Sequence, residues 1–449
     1  MVVQRLTQAL NRPVDAASVA VFRIAFGVLM VCSTLRFFAH GWVHEFYQRP
    51  THFFSYWGLG WVRPLPGTGM YWVYGGLALA ACFIALGAAY RVAACVFAVG
   101  FNYAHFCDRT NYLNHYYLVG VLAGLLLVLP LDRLLSWRVI RQPEQRCDQV
   151  RGWVLYLLRF QVGLVYVFGG IGKLGADWLT RAEPLRIWLS ADTELPLLGR
   201  LLVQPWASLA LSWCGALFDL SIVPLLCFRA TRAPAFVVLV AFHVLTALLF
   251  PIGMFPWIMI VAATVFLSPS WPRAWFGRLR HPEPRTISGS VAGAPLAAPG
   301  RVLAAAHVAF QLILPLRSAL YPGNTLWSEE GFRFSWKVML IEKQGSLEYR
   351  VVDQRGRTFT VLPKHYLTPL QRRMASTQPD MILELSHIIA RDFAARGYGS
   401  VRVYADSEVS FNGRLHARLI DPETDLAAVA DSLAPKPWIL PAPKEAPSF

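Results

Sequence analysis

Long apolar runs dominate this chain and constrain its fold more than any other feature. A helix needs roughly 20 apolar residues to cross the hydrocarbon core of a bilayer. Of the 449 residues, 55% are hydrophobic and only 15% are charged, whereas a soluble domain averages about 25% charged residues. The pattern therefore predicts an α-helical polytopic membrane bundle of about nine transmembrane helices. The predicted spans cover residues 17–38, 71–89, 91–106, 115–131, 153–172, 208–228, 234–250, 253–268 and 302–320.

Arginines in the connecting loops indicate how the spans are oriented. If the N-terminus is cytoplasmic, the loops after the fourth, sixth and eighth spans lie on the same side, and these loops are rich in arginine. Cytoplasmic loops of membrane proteins are enriched in Lys and Arg. The net charge of +15 is therefore interpreted as membrane orientation and not as nucleic-acid binding. We expect a bacterial cytoplasmic membrane as the location.

The chain divides into a transmembrane domain, residues 1–320, and a small C-terminal α+β domain, residues 321–449, outside the bilayer. A Gly-, Pro- and Ala-rich stretch, 277–300, is predicted to be a flexible cytoplasmic linker before the last span. The pair Asn412-Gly413 predicts a hairpin turn. Strands are predicted at 332–340, 347–352, 358–362, 401–404, 408–411 and 414–420, and one or two helices over 368–396.

Lys173 is the first candidate for function, because polar side chains in or beside apolar spans are costly and are often functional. It ends the fifth span on the predicted outer side. One interpretation is a lysine that snorkels to the interface, and the other is a base in a membrane-facing site. The neighbouring glycines resemble a phosphate loop, but Val167 and Leu174 stand where that loop requires Gly and Ser or Thr.

Asn114 and His115 begin the fourth span, also on the predicted outer side. They belong either to an interfacial polar belt or to a site shared with Lys173. A base, a histidine and an amide at one depth would suit a site that a lipid-soluble substrate enters from the bilayer.

Asp219 and His243 lie within the sixth and seventh spans. Each either forms a structural hydrogen bond between helices or contributes to a functional site. A pairing of Asp219 with Arg23 or Arg159 is one hypothesis. No histidine and cysteine spacing indicates a metal site, and no metal is expected.

Seven short motifs follow one another along most of the chain, from about Ala17 to Ala430. They are Asn114-His115-Tyr116-Tyr117-Leu118, Gly170-Ile171-Gly172-Lys173-Leu174-Gly175-Ala176-Asp177-Trp178, Leu249-Phe250-Pro251-Ile252-Gly253-Met254-Phe255, Ser268-Pro269-Ser270-Trp271-Pro272-Arg273, Phe334-Ser335-Trp336, Gln371-Arg372-Arg373 and Ile420-Asp421-Pro422. Together they resemble the vitamin K-dependent gamma-glutamyl carboxylases and their bacterial relatives with the horizontally transferred transmembrane (HTTM) domain.

The resemblance implies an enzyme that carboxylates protein glutamate residues and epoxidises reduced vitamin K, with O₂ and CO₂ as co-substrates. It implies that Lys173 is the base that deprotonates the hydroquinone and that His115 serves the carboxylation step. The residues that it implies for the substrate pocket are Asn114, His243, Trp336 and Met339. The expected partners are the bilayer, a lipid quinol and a glutamate-containing protein or peptide, and no nucleic acid.

Two departures from the family pattern leave the acceptor open. Gly172 stands where the family has the first lysine of a pair, and Lys337-Val338 replaces an Asp-Met pair. Two other functions therefore remain possible. One is a quinol-oxygenating enzyme with a different acceptor, and the other is a non-catalytic quinone- or lipid-binding membrane protein.

Overall fold

Helices form most of the computed structural model, which describes residues 2–191, 199–277, 291–293 and 297–444. Every predicted span contains a helix. The helices of this part are α1 (Val2–Asn11), α2 (Ala17–Ala39), α3 (Trp42–Tyr47), α4 (Gly69–Leu86), α5 (Tyr90–Phe106), α6 (Asn114–Val128), α7 (Trp137–Arg141), α8 (Gly152–Gly172), α9 (Ala176–Leu179), α10 (Leu185–Ala191), α11 (Gly199–Leu202), α12 (Pro205–Cys227), α13 (Arg232–Leu249), α14 (Phe255–Ala263), α15 (Trp271–Phe276) and α16 (Ala298–Leu316).

Six of these helices are long and apolar enough to cross a bilayer, among the residues that the structure describes. They are α2, α4, α8, α12, α13 and α16 with its 3-10 extension to Leu320. The helices α5 and α6 have 17 and 15 residues, so at 1.5 Å per residue they are about 26 and 22 Å long, short of a 30 Å hydrocarbon core. The prediction of an apolar helical bundle is confirmed, but the count of nine spans is not. Most of the predicted linker, 277–300, lies outside the described residues.

Close helix contact in the bundle depends on small residues. A Cβ atom added to Gly27 of α2 would lie 2.8 Å from the carbonyl oxygen of Ala81 and 2.6 Å from the nitrogen of Ala85, on α4. Small residues let helix backbones approach this closely in membrane proteins. The result is a tight α2–α4 pair within the bundle core.

Two arginines within the bundle, Arg23 and the half-buried Arg159, bind backbone carbonyl groups at and after helix ends, which corrects one sequence hypothesis. Arg23 is fully buried and donates hydrogen bonds to four carbonyl oxygens, including those of Ile84 at 2.5 Å and Leu135 at 2.6 Å. Arg159 donates to the carbonyl oxygens of residues 265–267. Carbonyl groups at helix C-termini lack intrahelical partners and attract cations. The predicted pairing of either arginine with Asp219 is therefore wrong.

Three loops form a small sheet at the end of the bundle that is remote from the C-terminal domain. Its strands are β1 (Pro13–Asp15), β2 (Gln149–Arg151) and β3 (Val291–Ala292), in the order β1-β2-β3. Arg273 forms ion pairs with Asp15 at 2.8 Å and with Asp148 at 3.0 Å beside this sheet. The predicted inner loops after the fourth and eighth spans thus meet the N-terminal segment.

The C-terminal domain, described here to residue 444, packs helices against one four-stranded antiparallel sheet. Its elements are α17 (Thr325–Ser328), β4 (Lys343–Val352), β5 (Thr358–Val361), α18 (Pro369–Ala375), α19 (Pro379–Phe393), β6 (Arg402–Phe411) and β7 (Arg414–Arg418). The sheet order is β5-β4-β6-β7, and the buried face of β4 packs against α19, the longest helix of the domain.

Local patterns predicted most of this domain. The turn at Asn412-Gly413 connects β6 and β7, both residues have positive φ, and the hairpin prediction is confirmed. The predicted strands 401–404 and 408–411 form one strand, β6, with a register shift near its end.

The predicted strand at 332–340 is wrong. This segment forms turns, and Phe334, Trp336 and Met339 have left-handed backbone angles with φ of 63°, 58° and 57°. L-residues with side chains rarely adopt such angles, and they do so mainly where the surrounding structure imposes them. Trp336 is fully buried against Tyr117 of the bundle, with ring centroids 4.7 Å apart. Packing between the two domains therefore overrides the local strand preference.

Arg109 anchors the C-terminal domain to the loop after α5. Its guanidinium lies 3.0 Å from Asp380 and 2.6 Å from Glu384, both on α19. Ser55, in the loop after α3, also donates to Glu384. Burial alone would raise the pKa of Asp380, but the guanidinium groups of Arg109 and Arg333 hold it well below its usual range.

Gln371 of α18 and Asp177 after α8 form further links between the domains. Gln371 donates to Asp108 at 3.1 Å, and Asp177 accepts hydrogen bonds from Arg414 at 2.7 Å. The loops after the first, third and fifth predicted spans therefore all contact the C-terminal domain. This agrees with the predicted topology, which places these three loops and that domain on the same side of the membrane.

Replacing Arg109 by alanine should weaken this junction. Glu384 would lose its buried cation, and Asp380 would keep only Arg333. We therefore expect a loss of about 2–5 kcal/mol, since removing one partner of a desolvated charge pair leaves the other uncompensated. Thermal unfolding of purified protein in detergent measures the loss. As a matched control, Arg418→Ala removes an exposed pair with Asp406 at 3.7 Å and should cost at most about 1 kcal/mol. Equal midpoints for both variants would contradict the anchoring role.

Acid should loosen the same junction through Asp380. A carboxyl group with a depressed folded-state pKa contributes stability above its unfolded pKa of about 3.9, and this stability is lost as the pH falls further toward the folded value. The unfolding midpoint of the wild type should therefore fall more steeply below about pH 4 than that of Asp380→Asn, which cannot titrate there. Parallel pH profiles for the two proteins would rule out this contribution.

Candidate active site

A cavity of ≈ 310 Å³ lies between α8, α12, α13 and α14, beneath the C-terminal domain. Nearly all of its wall is apolar. Two lining residues, Cys214 of α12 and Leu245 of α13, are also exposed on the apolar outer surface of the bundle. The cavity therefore lies beside the surface that lipid would contact, and its size is at the lower end of the range for small-molecule sites.

Lys173 reaches into this cavity from the end of α8. It is only 7% exposed, and its Nζ lies 2.6 Å from Oδ2 of Asp219 on α12. The same ammonium lies 3.4 Å from the carbonyl oxygen of Gly169, where helix carbonyls lack partners and favour a cation. The bundle thus holds one ion pair within an otherwise apolar wall.

Glycines on α8 make room for this ion pair. A Cβ atom on Gly169 would lie 3.3 Å from Oδ2 of Asp219, and one on Gly170 would lie 2.8 Å from the side chain of Leu220. Both distances are shorter than ordinary contact. The glycine pair therefore brings α12 and its carboxylate within hydrogen-bonding distance of Lys173.

The indole of Trp178 forms another part of the site. Its ring centroid lies 5.3 Å from Nζ of Lys173, within range of a cation–π interaction. The indole nitrogen donates to the carbonyl oxygen of Ser212 at 2.7 Å, and this bond holds the ring against α12. Trp178 thus forms a second contact for the ammonium of Lys173 beside Asp219.

His243 brings a second polar group to the cavity wall. Its Nε2 lies 2.8 Å from the hydroxyl of Tyr166, whereas its buried Nδ1 has no hydrogen-bond partner among the residues described. Phe218 and Phe255 surround the ring at centroid distances of about 6 Å. A buried nitrogen without a partner is costly, so this unsatisfied atom lies in a side chain that lines the cavity.

Residues 334–340, which we call the cover segment, close the cavity from the C-terminal domain. Val338 and Met339 of this segment line the cavity. Leu340 lies over Gly172, because a Cβ atom added to Gly172 would lie 3.0 Å from Cδ1 of Leu340. Gly172 stands where the pattern of the resembled carboxylases has a lysine, and its lack of a side chain allows the cover segment to pack onto the end of α8.

Asn114 fixes the cover segment and does not line the cavity. Its side chain donates to the carbonyl oxygen of Lys337 at 3.1 Å and accepts from the hydroxyl of Tyr112 at 2.9 Å. The same hydroxyl accepts the backbone N–H of Phe334 at 2.6 Å. Trp336 also lies outside the cavity wall, against Tyr117. These contacts set the left-handed turns of the segment.

His115 lies one layer behind the cavity. It is buried, and its ring centroid is 6.1 Å from that of Phe255, which lines the cavity and is 6.0 Å from His243. Of the six predicted site residues, the structure thus brings Lys173, His243 and Met339 to one cavity and leaves Asn114, His115 and Trp336 around it. The catalytic role of His115 stays a prediction.

Sequence reasoning did not identify the partner of Lys173. A signal was present, because Lys173 is the only lysine before residue 337, and Asp219 is the only acidic residue between 195 and 282. A lone acid in an apolar span requires a cation at a similar depth. Trp178 and Phe255 end two of the motifs that carry the resemblance, but Tyr166 belongs to none of them.

Comparisons with known protein families agree with these two parts of the chain. The HTTM domain family matches residues 11–271. The lumenal domain family of vitamin K-dependent gamma-carboxylases matches residues 298–445. No solved structure matches the chain. Within the described ranges, no group of three His, Cys, Asp or Glu residues is placed to hold a metal ion.

A double-mutant cycle should show that Lys173 and Asp219 stabilise each other. Asp219→Leu alone should cost about 3–5 kcal/mol, because it leaves a buried ammonium without its counterion. Adding Lys173→Met should restore most of that loss, since an apolar pair of similar size suits the apolar wall. Thermal unfolding in detergent provides the measurement, with Ser221→Leu, an exposed position on the same helix, as the control. Additive losses in the double variant would exclude the coupling.

Proposed function

Because this chain belongs to the vitamin K-dependent gamma-glutamyl carboxylase family, we propose that it carboxylates the γ-carbon of protein glutamate residues and couples this step to epoxidation of reduced vitamin K. The buried Lys173–Asp219 pair, set in an apolar cavity beside the lipid-facing surface, is the observation that carries the proposal. Both family matches, which together span most of the chain, support it.

The cavity suits a naphthohydroquinone, which is a flat apolar ring system with two hydroxyl groups. Its apolar wall would bury the rings, and polar side chains are available at Lys173 and His243. The exposed side chains Cys214 and Leu245 mark a lateral approach for a ligand that is dissolved in lipid. When bound, reduced vitamin K would react with O₂ to give the epoxide and water, and this reaction supplies the basicity that removes a γ proton of glutamate before CO₂ adds.

Lys173 would act as the base for a hydroxyl proton of the quinol. An amine accepts a proton only when it is neutral, and Asp219 makes the neutral form accessible. The distance of 2.6 Å between Nζ and Oδ2 allows a proton to pass from the ammonium to the carboxylate. Nζ then has a free lone pair for the quinol proton, so the pair as a whole gains one proton and one positive charge. Low polarity around the pair strengthens this exchange.

The cover segment would keep water out of the cavity during the reaction. Val338 and Met339 close it beneath the C-terminal domain, and the bonds from Asn114 and Tyr112 hold the segment in place. A strongly basic species formed in a wet cavity would take its proton from water, so exclusion of water favours the proton of glutamate. Asn114 is in this scheme a positioning residue and not a ligand of the quinol.

The match to a lumenal domain supports an extracytoplasmic position for the C-terminal domain. We further propose that the N-terminus is cytoplasmic and that a bacterial cytoplasmic membrane holds the protein. The cluster of arginine-rich loops around β1, β2 and β3, at the end of the bundle remote from the C-terminal domain, supports this orientation.

Epoxide formation tests the proposal directly. Purified protein in detergent is mixed with anaerobically reduced vitamin K and then exposed to O₂, and the 2,3-epoxide is quantified. The wild type should form epoxide, and Lys173→Ala should form it about 10²–10⁴-fold more slowly, as expected for loss of a general base. The control Lys436→Ala removes a lysine of the C-terminal domain that lies outside the cavity and should retain the wild-type rate.

Each outcome has a definite meaning. Equal epoxide formation by the wild type and a folded Lys173→Ala variant would exclude Lys173 as the base. Absence of epoxide from the folded wild type would exclude the mechanism for this quinol. Epoxide formation without incorporation of labelled CO₂ into glutamate peptides would favour quinol oxygenation with another acceptor, which the Lys337-Val338 departure in the cover segment makes a real alternative.

A further inference from the structure

One edge of β4 is free over part of its length. Residues 343–352 of β4 pair with β6, but β5 pairs only with residues 349–352. Within the described residues, no strand pairs with 343–348 on the β5 side. In an antiparallel ladder, successive residues direct their backbone N–H and C=O groups to opposite sides of the strand. The carbonyl oxygen of Glu342 accepts the N–H of Asn412, on the β6 side. The backbone groups of Lys343, Gly345 and Leu347 therefore face the free side.

A groove of ≈ 690 Å³ follows this free edge, and we call it the β4 groove. Lys343, Gly345 and Leu347 line one side of it, and the turn after β5 together with α18 forms the other. An open strand edge beside a groove of this kind is the geometry in which an extended peptide adds to a sheet.

The wall opposite the strand edge is basic. Lys364, Arg372 and Arg373 line it, and all three are exposed. None of them has an acidic partner among the ion pairs of the described chain, and no acidic residue lines the groove. The charge of this wall is therefore available to a negatively charged occupant.

We propose that the β4 groove binds a glutamate-containing peptide as an added strand on β4. This inference rests on the proposed function, because it assigns the place where the carboxylase would hold its peptide substrate. Backbone hydrogen bonds to Lys343, Gly345 and Leu347 would bind any extended peptide, and the basic wall would select an acidic one.

The β4 groove is close to the cavity along the chain and is attached to the bundle. Lys343 ends the free edge only four residues after Met339, which lines the cavity, so an extended chain between them spans at most about 14 Å. Gln371 of α18 binds Asp108 and the carbonyl oxygen of His52 in the bundle. A peptide in the groove would thus present neighbouring glutamates near the cover segment.

Peptide binding tests the basic wall. The probe is a fluorescein-labelled synthetic peptide of alternating Glu and Val, and its anisotropy is measured with full-length protein in detergent. Arg372→Glu/Arg373→Glu should weaken binding about tenfold or more, since like charges then face the peptide. The control Arg391→Glu/Arg402→Glu makes the same change in net charge at exposed positions outside the groove and should bind as the wild type does. Circular dichroism and unfolding midpoints confirm that the variants are folded.

Backbone methylation of the probe tests strand addition without changing the protein. Only alternate N–H groups of an added strand face β4. Of two Glu-Val peptides that are N-methylated on alternate sets of residues, one should lose binding and the other should retain it. Equal binding of both peptides would overturn the strand-addition proposal.

Epoxide formation without peptide separates this proposal from the proposed function. The Arg372→Glu/Arg373→Glu variant should form epoxide at the wild-type rate, because the groove lies outside the cavity. Peptide binding without any epoxide from the wild type would overturn the proposed function and leave the groove assignment standing. Unchanged peptide binding by the variant would overturn the groove assignment. If the variant binds the peptide normally but no longer binds vesicles of anionic lipid, the basic wall is a membrane contact instead.

Discussion

The ion pair between Lys173 and Asp219 is the constraint on which the candidate site depends. An ammonium and a carboxylate in an apolar bundle are stable only in contact with each other. This requirement brings α8 and α12 together, and Gly169 and Gly170 supply the space for that approach. The same low polarity that demands the pair also allows a proton to move within it, so structural stability and proposed chemistry have one physical origin.

The C-terminal domain completes the cavity that the bundle only begins. Arg109 and Asp177 attach this domain to loops of the bundle, and the attachment holds the cover segment over the end of α8. Left-handed backbone at Phe334, Trp336 and Met339 is tolerated because aromatic packing and the bonds of Tyr112 and Asn114 outweigh its cost. Neither domain by itself would enclose Lys173.

The cover segment also connects two levels of recognition. It leads directly into β4, so the wall of the cavity and the free strand edge belong to one continuous stretch of chain. A lipid-soluble quinol would approach between α12 and α13, whereas a peptide would approach along β4 in water. The two substrates would thus arrive from different solvents at neighbouring parts of one stretch of chain, which suits a reaction that couples them.

The sequence by itself determined the apolar helices, the turn chemistry and the presence of a costly lysine at the end of a span. These features are local, since hydrophobic length, Asn-Gly turns and buried charge can be read from neighbouring residues. Only the tertiary structure decided that Lys173, and not an arginine, is the partner of Asp219. It also decided that residues 332–340 form turns and not a strand, and that Asn114 and His115 lie around the cavity. Partner choice depends on which helix faces meet and on how one domain packs against another, and these are long-range properties that no local pattern contains.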